Sequence, residues 1–292
     1  MKPAQFALDT PQSASEALAL LSDHGDSAKV IAGGQSLVPM LNFRLVTPER
    51  LIDINGLEDL AYIRENDGVL AIGAMTRQQE IEASPVIAAA APLLAEATRE
   101  IAHPSIRNRG TVGGSLLHND PSAEYPVTLL CLGAEVEVAS VRGNRTIPVS
   151  DLILPWFSTT LEPDELLLEI RVPVAGESTS QAFEELARRK GDFALAAVAV
   201  ALTFGASGAI EKAAIAGTAG RCAQRLTEAE RALTGEVPTD SVVGAVAAAA
   251  ETEIQPVGDI HADEDYRRHL VALMTRRALA KAIGDRAGSK ED

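Results

Sequence analysis

The sequence predicts an α+β protein in two parts. In the first half, short apolar runs alternate with helical periodicities. Near residue 175 the composition turns small and polar, and beyond it strand-like runs stand together ahead of three helical ones. The 292 residues are enough for two domains of roughly 100–200 residues each.

The elements follow in order. Ser13-Ala14-Ser15-Glu16 fits a capping box, Ala17, Leu18, Leu20 and Leu21 form the apolar face of the helix behind it, and Gly25 is placed to end it. Lys29 to Ala32 reads as a short buried strand running into Gly33-Gly34. Leu51 to Ile54 and Val69 to Ile72 read as two more. Thr76-Arg77-Gln78-Gln79 caps a short helix, and Pro85 to Ile101 suits one longer, Ala-rich helix. After a loop at 102–121 come a helix at 123–132, an alternating strand at 134–138, and a hairpin turn at 142–145 into a strand at 146–149. Leu166 to Val172 is a further strand, stopped by Pro173, and Ala175 to Ser180 is the linker. Runs at 181–187, 195–204 and 209–216 predict an antiparallel meander. Helices follow at about 227–234, 239–253 and 263–283. The last opens on Asp263-Glu264-Asp265 and ends near Lys281, charges that suit its dipole, with Leu270, Leu273 and Met274 as its buried stripe.

Composition narrows the function. The content, 46% hydrophobic and 23% charged, is that of a soluble globular protein, and no stretch approaches the ~20 apolar residues of a membrane span. The start, Met1 to Phe6, has no apolar signal core, and two cysteines, Cys131 and Cys222, make no disulfide framework; both predict a cytoplasmic protein. A net charge of −15 argues against nucleic acid, whose phosphates need clustered Lys and Arg. It leaves room for one buried nucleotide, because backbone N–H groups hold a pyrophosphate without net positive charge.

Several signatures are missing. There is no Gly-x-Gly, so no Rossmann fingerprint, and no Walker loop or Gly-x-Ser-x-Gly elbow. Two cysteines cannot ligate an iron–sulfur cluster alone, and His24, His103, His118, His261 and His269 show no metal-ligand spacing. What stands out is a pair of similar loops: Ala32-Gly33-Gly34-Gln35-Ser36, and Thr111-Val112-Gly113-Gly114-Ser115 after Arg107-Asn108-Arg109-Gly110. Adjacent glycines let successive N–H groups converge into an anion nest, and each serine adds a donor. Two such nests facing one cleft suit a diphosphate. One Gly-Gly after a strand is also an ordinary tight turn, and on the residues alone both readings stand.

The pair of loops resembles the FAD-binding medium subunit of molybdenum hydroxylases, the group of carbon monoxide dehydrogenase, bacterial xanthine dehydrogenases and N-heterocycle hydroxylases. The resemblance extends through Leu37 to Arg44, Ala102 to Asn108, Asp120 to Pro126 and Arg188-Arg189-Lys190-Gly191-Asp192-Phe193-Ala194, covering the chain from Phe6 to about Ile283. It implies a two-part N-terminal FAD-binding α/β domain at 1–174, of PCMH type and not Rossmann, with subdomains of about 1–55 and 56–174. A C-terminal flavoprotein domain with a small antiparallel sheet and helices follows at 181–285, then a tail at 286–292. It also implies that residues 32–36 and 111–115 hold the pyrophosphate and ribityl chain of a noncovalent FAD. Ile101 and Leu168 would pack on the cofactor, Glu124 would meet a cofactor hydroxyl, and Lys190 and Phe193 would approach from the second domain, Phe193 near the isoalloxazine ring. Each has a plain alternative: core packing for Ile101 and Leu168, a helix-dipole site for Glu124, and a solvated turn and a core anchor for Lys190 and Phe193. The sequence departs from the family at Gln35, where relatives of carbon monoxide dehydrogenase carry His, and at Ser115, where Asn is common. Glu184 and Glu185 stand where some members carry Lys.

The function so implied is electron transfer. A large subunit would hold the molybdenum cofactor and hydroxylate the substrate, and a small one would hold two [2Fe–2S] clusters, the whole forming a dimer of heterotrimers. This chain would pass electrons through FAD to an external acceptor, with no catalytic residue and no metal of its own. A stand-alone FAD-dependent oxidase and a non-catalytic FAD-binding protein are the alternatives.

Overall fold

The computed structural model describes residues 2–288. Strands β1 (Ala7–Asp9), β2 (Ala28–Ile31) and β3 (Arg50–Asp53) form a parallel sheet in the order β1-β3-β2. Parallel strands need a crossover, and the Ala14–His24 helix supplies it, burying Ala17 and Leu21. Its cap is half of the expected box. Ser13 Oγ accepts the Glu16 N–H at 3.2 Å, whereas the Glu16 carboxylate accepts from Gln12 and not from Ser13. Gly25, at φ 47°, ends the helix as expected.

A second, antiparallel sheet comprises β4 (Ile63–Asn66), β5 (Val69–Gly73), β6 (Glu135–Ser140) and β7 (Gly143–Pro148), with β8 (Ile153–Leu154) and β9 (Ser158–Thr159) as a separate small hairpin, and β10 (Leu166–Pro173). Its order is β4-β5-β10-β6-β7. Three readings change here. The helix expected from Pro85 to Ile101 is two, Pro85–Ala90 and Pro92–Glu100. Pro92 has no N–H to continue the ladder and drives Ala91 out of the helical region, to φ −146°, ψ 67°. The turn expected at 142–145 lies at 141–142, with Gly143 already in β7. Thr76 caps no helix. Its hydroxyl bridges the backbone N–H and carbonyl of Tyr62, and Arg77 with Glu80 opens the Gln78–Ala83 helix instead.

The third sheet contains the expected three-stranded meander, β11 (Thr179–Ala187), β12 (Ala194–Phe204) and β13 (Ile210–Thr218), and adds a two-residue strand that was not expected, β14 (Gln224–Arg225), antiparallel in chain order. Strand β12 is almost continuously apolar because it is buried on both faces. Ala197 and Ala199 join a core with Leu94, Tyr125 and Leu130 of the N-terminal half, while Val198, Val200 and Leu202 join Leu226, Leu270 and Met274 beneath the C-terminal helices. Those helices are Thr227–Leu233, Asp240–Glu253 and Glu264–Gly288. The last runs beyond its expected end near Lys281 into the stretch read as a tail, of which residues 289–292 lie outside the described residues. Among the described residues no helix is long and apolar enough to cross a membrane.

Candidate functional site

The first loop leaves β2 and turns at Gly34, whose φ of 72° is a conformation glycine adopts without a Cβ penalty. Val38 N–H then bonds to Gly34 O and opens the Leu37–Asn42 helix, while Gln35 folds its amide back onto Gly33 O at 2.9 Å. Ser36 is exposed and makes no side-chain cap bond. Asn55, just after β3, pins the loop by donating to Ala32 O at 2.7 Å.

The second loop is built differently from the expected nest. Gly113 and Gly114 lie inside the first turn of the Val112–His118 helix, and Thr111 caps it, its Oγ1 accepting the Gly114 N–H at 3.1 Å. Neither glycine has positive φ. Thr111, Val112 and Gly113 are buried, and only Gly114 and Ser115 reach the surface. The two glycines serve close approach: a Cβ on Gly113 would lie 2.7 Å from Ala74 O, and one on Gly114 2.7 Å from Thr111 Oγ1.

The loops meet backbone to backbone. A Cβ on Gly33 would collide with the Arg109 carbonyl, and Ala32 lies against Gly114. Arg77 clamps the junction, donating to Arg109 O at 2.5 Å and to Asn55 Oδ1 at 2.9 Å. A cleft of about 430 Å3 opens there, lined by Ala32 to Gln35 of the first loop, without Ser36, together with Asp53, Asn55, Ile106 and Arg109. Residues 111–115 adjoin this cleft without lining it. Burial and the neighbouring Arg109 guanidinium lower the Arg77 pKa, and such a pair of like charges gains from an anion beside it. Backbone amides around Gly34, a cation in Arg109 and a carboxylate in Asp53 fit the diphosphate and hydroxyls of a nucleotide. Sequence reasoning missed Asp53, Asn55 and Arg77. Their only signals were the end of a strand and a helix cap.

The other expected residues sit on separate elements, Ile101 in one core cluster and Leu168 against another. Ile101 is buried at the end of the Pro92–Glu100 helix, and its carbonyl accepts from Arg107 at 2.8 Å. Leu168 is half-buried at a β-bulge in β10, its carbonyl held by Ala74 N–H. Lys190 and Phe193 are exposed, Phe193 at 73%, on a loop whose Gly191 (φ 83°) is packed against Ala102 and His103. Phe193 is therefore no core anchor. Glu124 opens the Glu124–Cys131 helix and is 7% exposed. Burial, with Asp120 and Glu100 nearby, pushes its carboxyl up to about 7.

Comparison with known proteins assigns this architecture. Residues 4–175 match the FAD binding domain in molybdopterin dehydrogenase, and residues 181–282 the CO dehydrogenase flavoprotein C-terminal domain. The chain is 42% identical over its whole length to the 6-hydroxypseudooxynicotine dehydrogenase complex subunit alpha of Paenarthrobacter nicotinovorans, covering 99% of that protein. It is 38% identical to the carbon monoxide dehydrogenase medium chain of Hydrogenophaga pseudoflava, covering 97% of this chain and 98% of that one. Among solved structures, carbon monoxide dehydrogenase from Hydrogenophaga pseudoflava superposes with a TM-score of 0.94 at 40% identity, over 97% of this chain and 99% of that one. Quinoline 2-oxidoreductase from Pseudomonas putida 86 gives 0.92 at 36%, over 98% and 99%. With both domains matched in order and the relatives covered nearly end to end, the chain belongs to the FAD-binding medium subunits of the molybdenum hydroxylases.

Proposed function

We propose that this chain holds a noncovalent FAD and carries electrons through it within a complex of three kinds of subunit. One partner is a large subunit with the molybdenum cofactor, the other a small subunit with two [2Fe–2S] clusters, assembled as a dimer of heterotrimers in the cytoplasm. When bound, FAD supplies two-electron chemistry, taking electrons from the clusters and releasing them to an external acceptor. The single observation that carries the reading is the meeting of the two Gly-Gly loops beside a cleft bearing Arg109 and Asp53, in a chain matched along its length to such subunits.

In this reading the PCMH-type domain spans 1–174, divided near residue 55, and the C-terminal domain spans 181–285. Residues 32–36 turn their amides to the diphosphate, and Gly114 and Ser115 supply the second side. Ile101 and Leu168 give apolar walls. Glu124 takes a hydroxyl, and Lys190 and Phe193 close over the ring edge from the second domain. The protein needs no acid or base of its own for this work; it orients the cofactor and keeps one edge accessible. The purified chain is expected to be yellow, and acid precipitation should release all flavin to the supernatant. Flavin retained in the pellet would refute noncovalent binding, and a colourless chain that takes up no added FAD would refute the reading itself.

A further inference from the structure

Among the described residues no hydrogen bond runs directly between residues 32–36 and residues 107–115, although both loops stand at the cleft. Each is fastened to its own support instead. Gln78 N–H donates to Gly110 O at 2.9 Å, Val112 N–H to Thr76 O at 3.1 Å and Gly113 N–H to Ala74 O at 3.0 Å, which joins the second loop to segment 74–78. The first loop is held from segment 53–55, where Ile54 N–H donates to Ile31 O and Asn55 Nδ2 to Ala32 O. A strap of side chains links the two supports. Asn55 Nδ2 also donates to Asp53 Oδ1 at 2.6 Å, which uses both its hydrogens and leaves Asn55 Oδ1 to accept. Arg77 Nη2 donates to that oxygen at 2.9 Å, and Arg77 Nη1 donates to Arg109 O at 2.5 Å.

Arg77 is placed to govern the gap. Its backbone stands opposite Thr111 in an isolated antiparallel bridge, so the base of the side chain belongs with the second loop while its tip reaches the support of the first. The Arg109 carbonyl that it holds is the one on which Gly33 packs, where a Cβ would lie 2.2 Å away. Asn55 and Arg109 line the cleft, whereas Arg77 lines a neighbouring hollow of about 390 Å3 that shares Asn55 with it. Burial and then Arg109 lower the Arg77 pKa, so its charge stands there at a cost. What the position uses is a planar fork, two donors for acceptors on two elements, and a lysine ammonium is a single point.

We propose that Arg77 is a positioning residue for the cofactor: through Asn55 and the Arg109 carbonyl it sets the gap between the two loops, and so the fit of the diphosphate, without touching FAD. This rests on the FAD reading above and extends it to a residue outside the cleft.

The test titrates FAD by fluorescence quenching into the full chain freed of flavin, well below the melting temperature of every variant. Affinity then reports on folded protein, and a purely structural arginine would lower the melt while leaving affinity alone. Arg77→Met removes both bonds at nearly constant length and is expected to weaken FAD about tenfold, the worth of one charge-assisted hydrogen bond. Arg77→Lys keeps the charge without the fork and should lose at least about threefold. Asn55→Ala cuts the strap at its other link. Because both residues act through one strap, the double variant Arg77→Met, Asn55→Ala should bind within about twofold of the weaker single one. If Arg77→Met does not fold, Arg77→Lys takes its place in the same cycle. Binding by Arg77→Met or Arg77→Lys within about twofold of wild type overturns the inference, and so do losses that multiply in the double variant. A wild-type chain that binds no FAD overturns the FAD reading first, and this inference with it.

Discussion

At residue scale, Gly114 separates what adjacent glycines can mean. A Gly-Gly pair announces either a left-handed turn or a close approach, and the sequence does not say which. In the first loop Gly34 takes the left-handed turn and Gly33 the close approach to Arg109. In the second, both glycines are helical and both serve packing. Gly114→Val therefore acts through its neighbour and not through a strained φ. The added Cβ would press on Thr111 Oγ1, displace the cap that accepts the Gly114 N–H, and put a branched side chain on the one fully exposed residue of the loop. The cap alone is worth about 1 kcal/mol. The variant should fold, melt a few degrees lower and purify with little flavin. Full FAD stoichiometry in the purified variant would remove Gly114 from the site.

At the scale of elements, periodicity made most strands legible, because alternate burial writes a two-residue period and double burial a continuous apolar run. The meander of β11 to β13 and the helix after the second loop stand close to where they were expected. What stayed hidden is set by contacts distant in sequence. Strand β1 has only three residues and exists because β3 pairs with it. The β8–β9 hairpin, with Trp156 and Phe157 at positive φ, is held by Asn119, which donates to Leu154 O and Ser158 O. The two loops are marked in the sequence by their glycines, whereas Asn55 looks like any residue after a strand until the fold brings it to the cleft. Arg107 is the clearest case of an element joined from afar. It lies in the short Pro104–Arg107 helix, is buried, and binds Glu82 at 2.8 Å and Ile101 O at 2.8 Å. Arg107→Ala would leave Glu82 without its partner and free the segment between the two parts of the site. Glu82 keeps some access to water, so the cost belongs near the low end for a broken buried pair, about 3 kcal/mol. Equilibrium denaturation in urea measures it directly; a loss below about 1 kcal/mol would mean the pair behaves as a surface bridge.

At the scale of the whole molecule, the two halves share an apolar core through β11, β12 and β13, so the short polar linker does not act as a swivel. A rigid join suits a chain whose proposed task is to hold one cofactor from both sides at a fixed distance from a donor. On the C-terminal side the residue proposed for that contact is Phe193, 73% exposed on a loop braced by Gly191 against His103. An aromatic ring left that exposed contributes little to folding, so Phe193→Ala should change stability by no more than about 0.5 kcal/mol. Its effect belongs to the assembled enzyme. There the variant should loosen FAD and slow reduction of the flavin by the clusters, while reduction of the clusters from the molybdenum site keeps its rate. Stopped-flow absorbance resolves the two phases, and turnover with an artificial acceptor that bypasses FAD should change much less than turnover with the natural one. Equal slowing of both phases would place Phe193 at a subunit contact and not at the ring. Substrate-dependent flavin reduction in the isolated chain would go further: it would show a substrate site within these 292 residues and replace electron transfer with a self-sufficient oxidase.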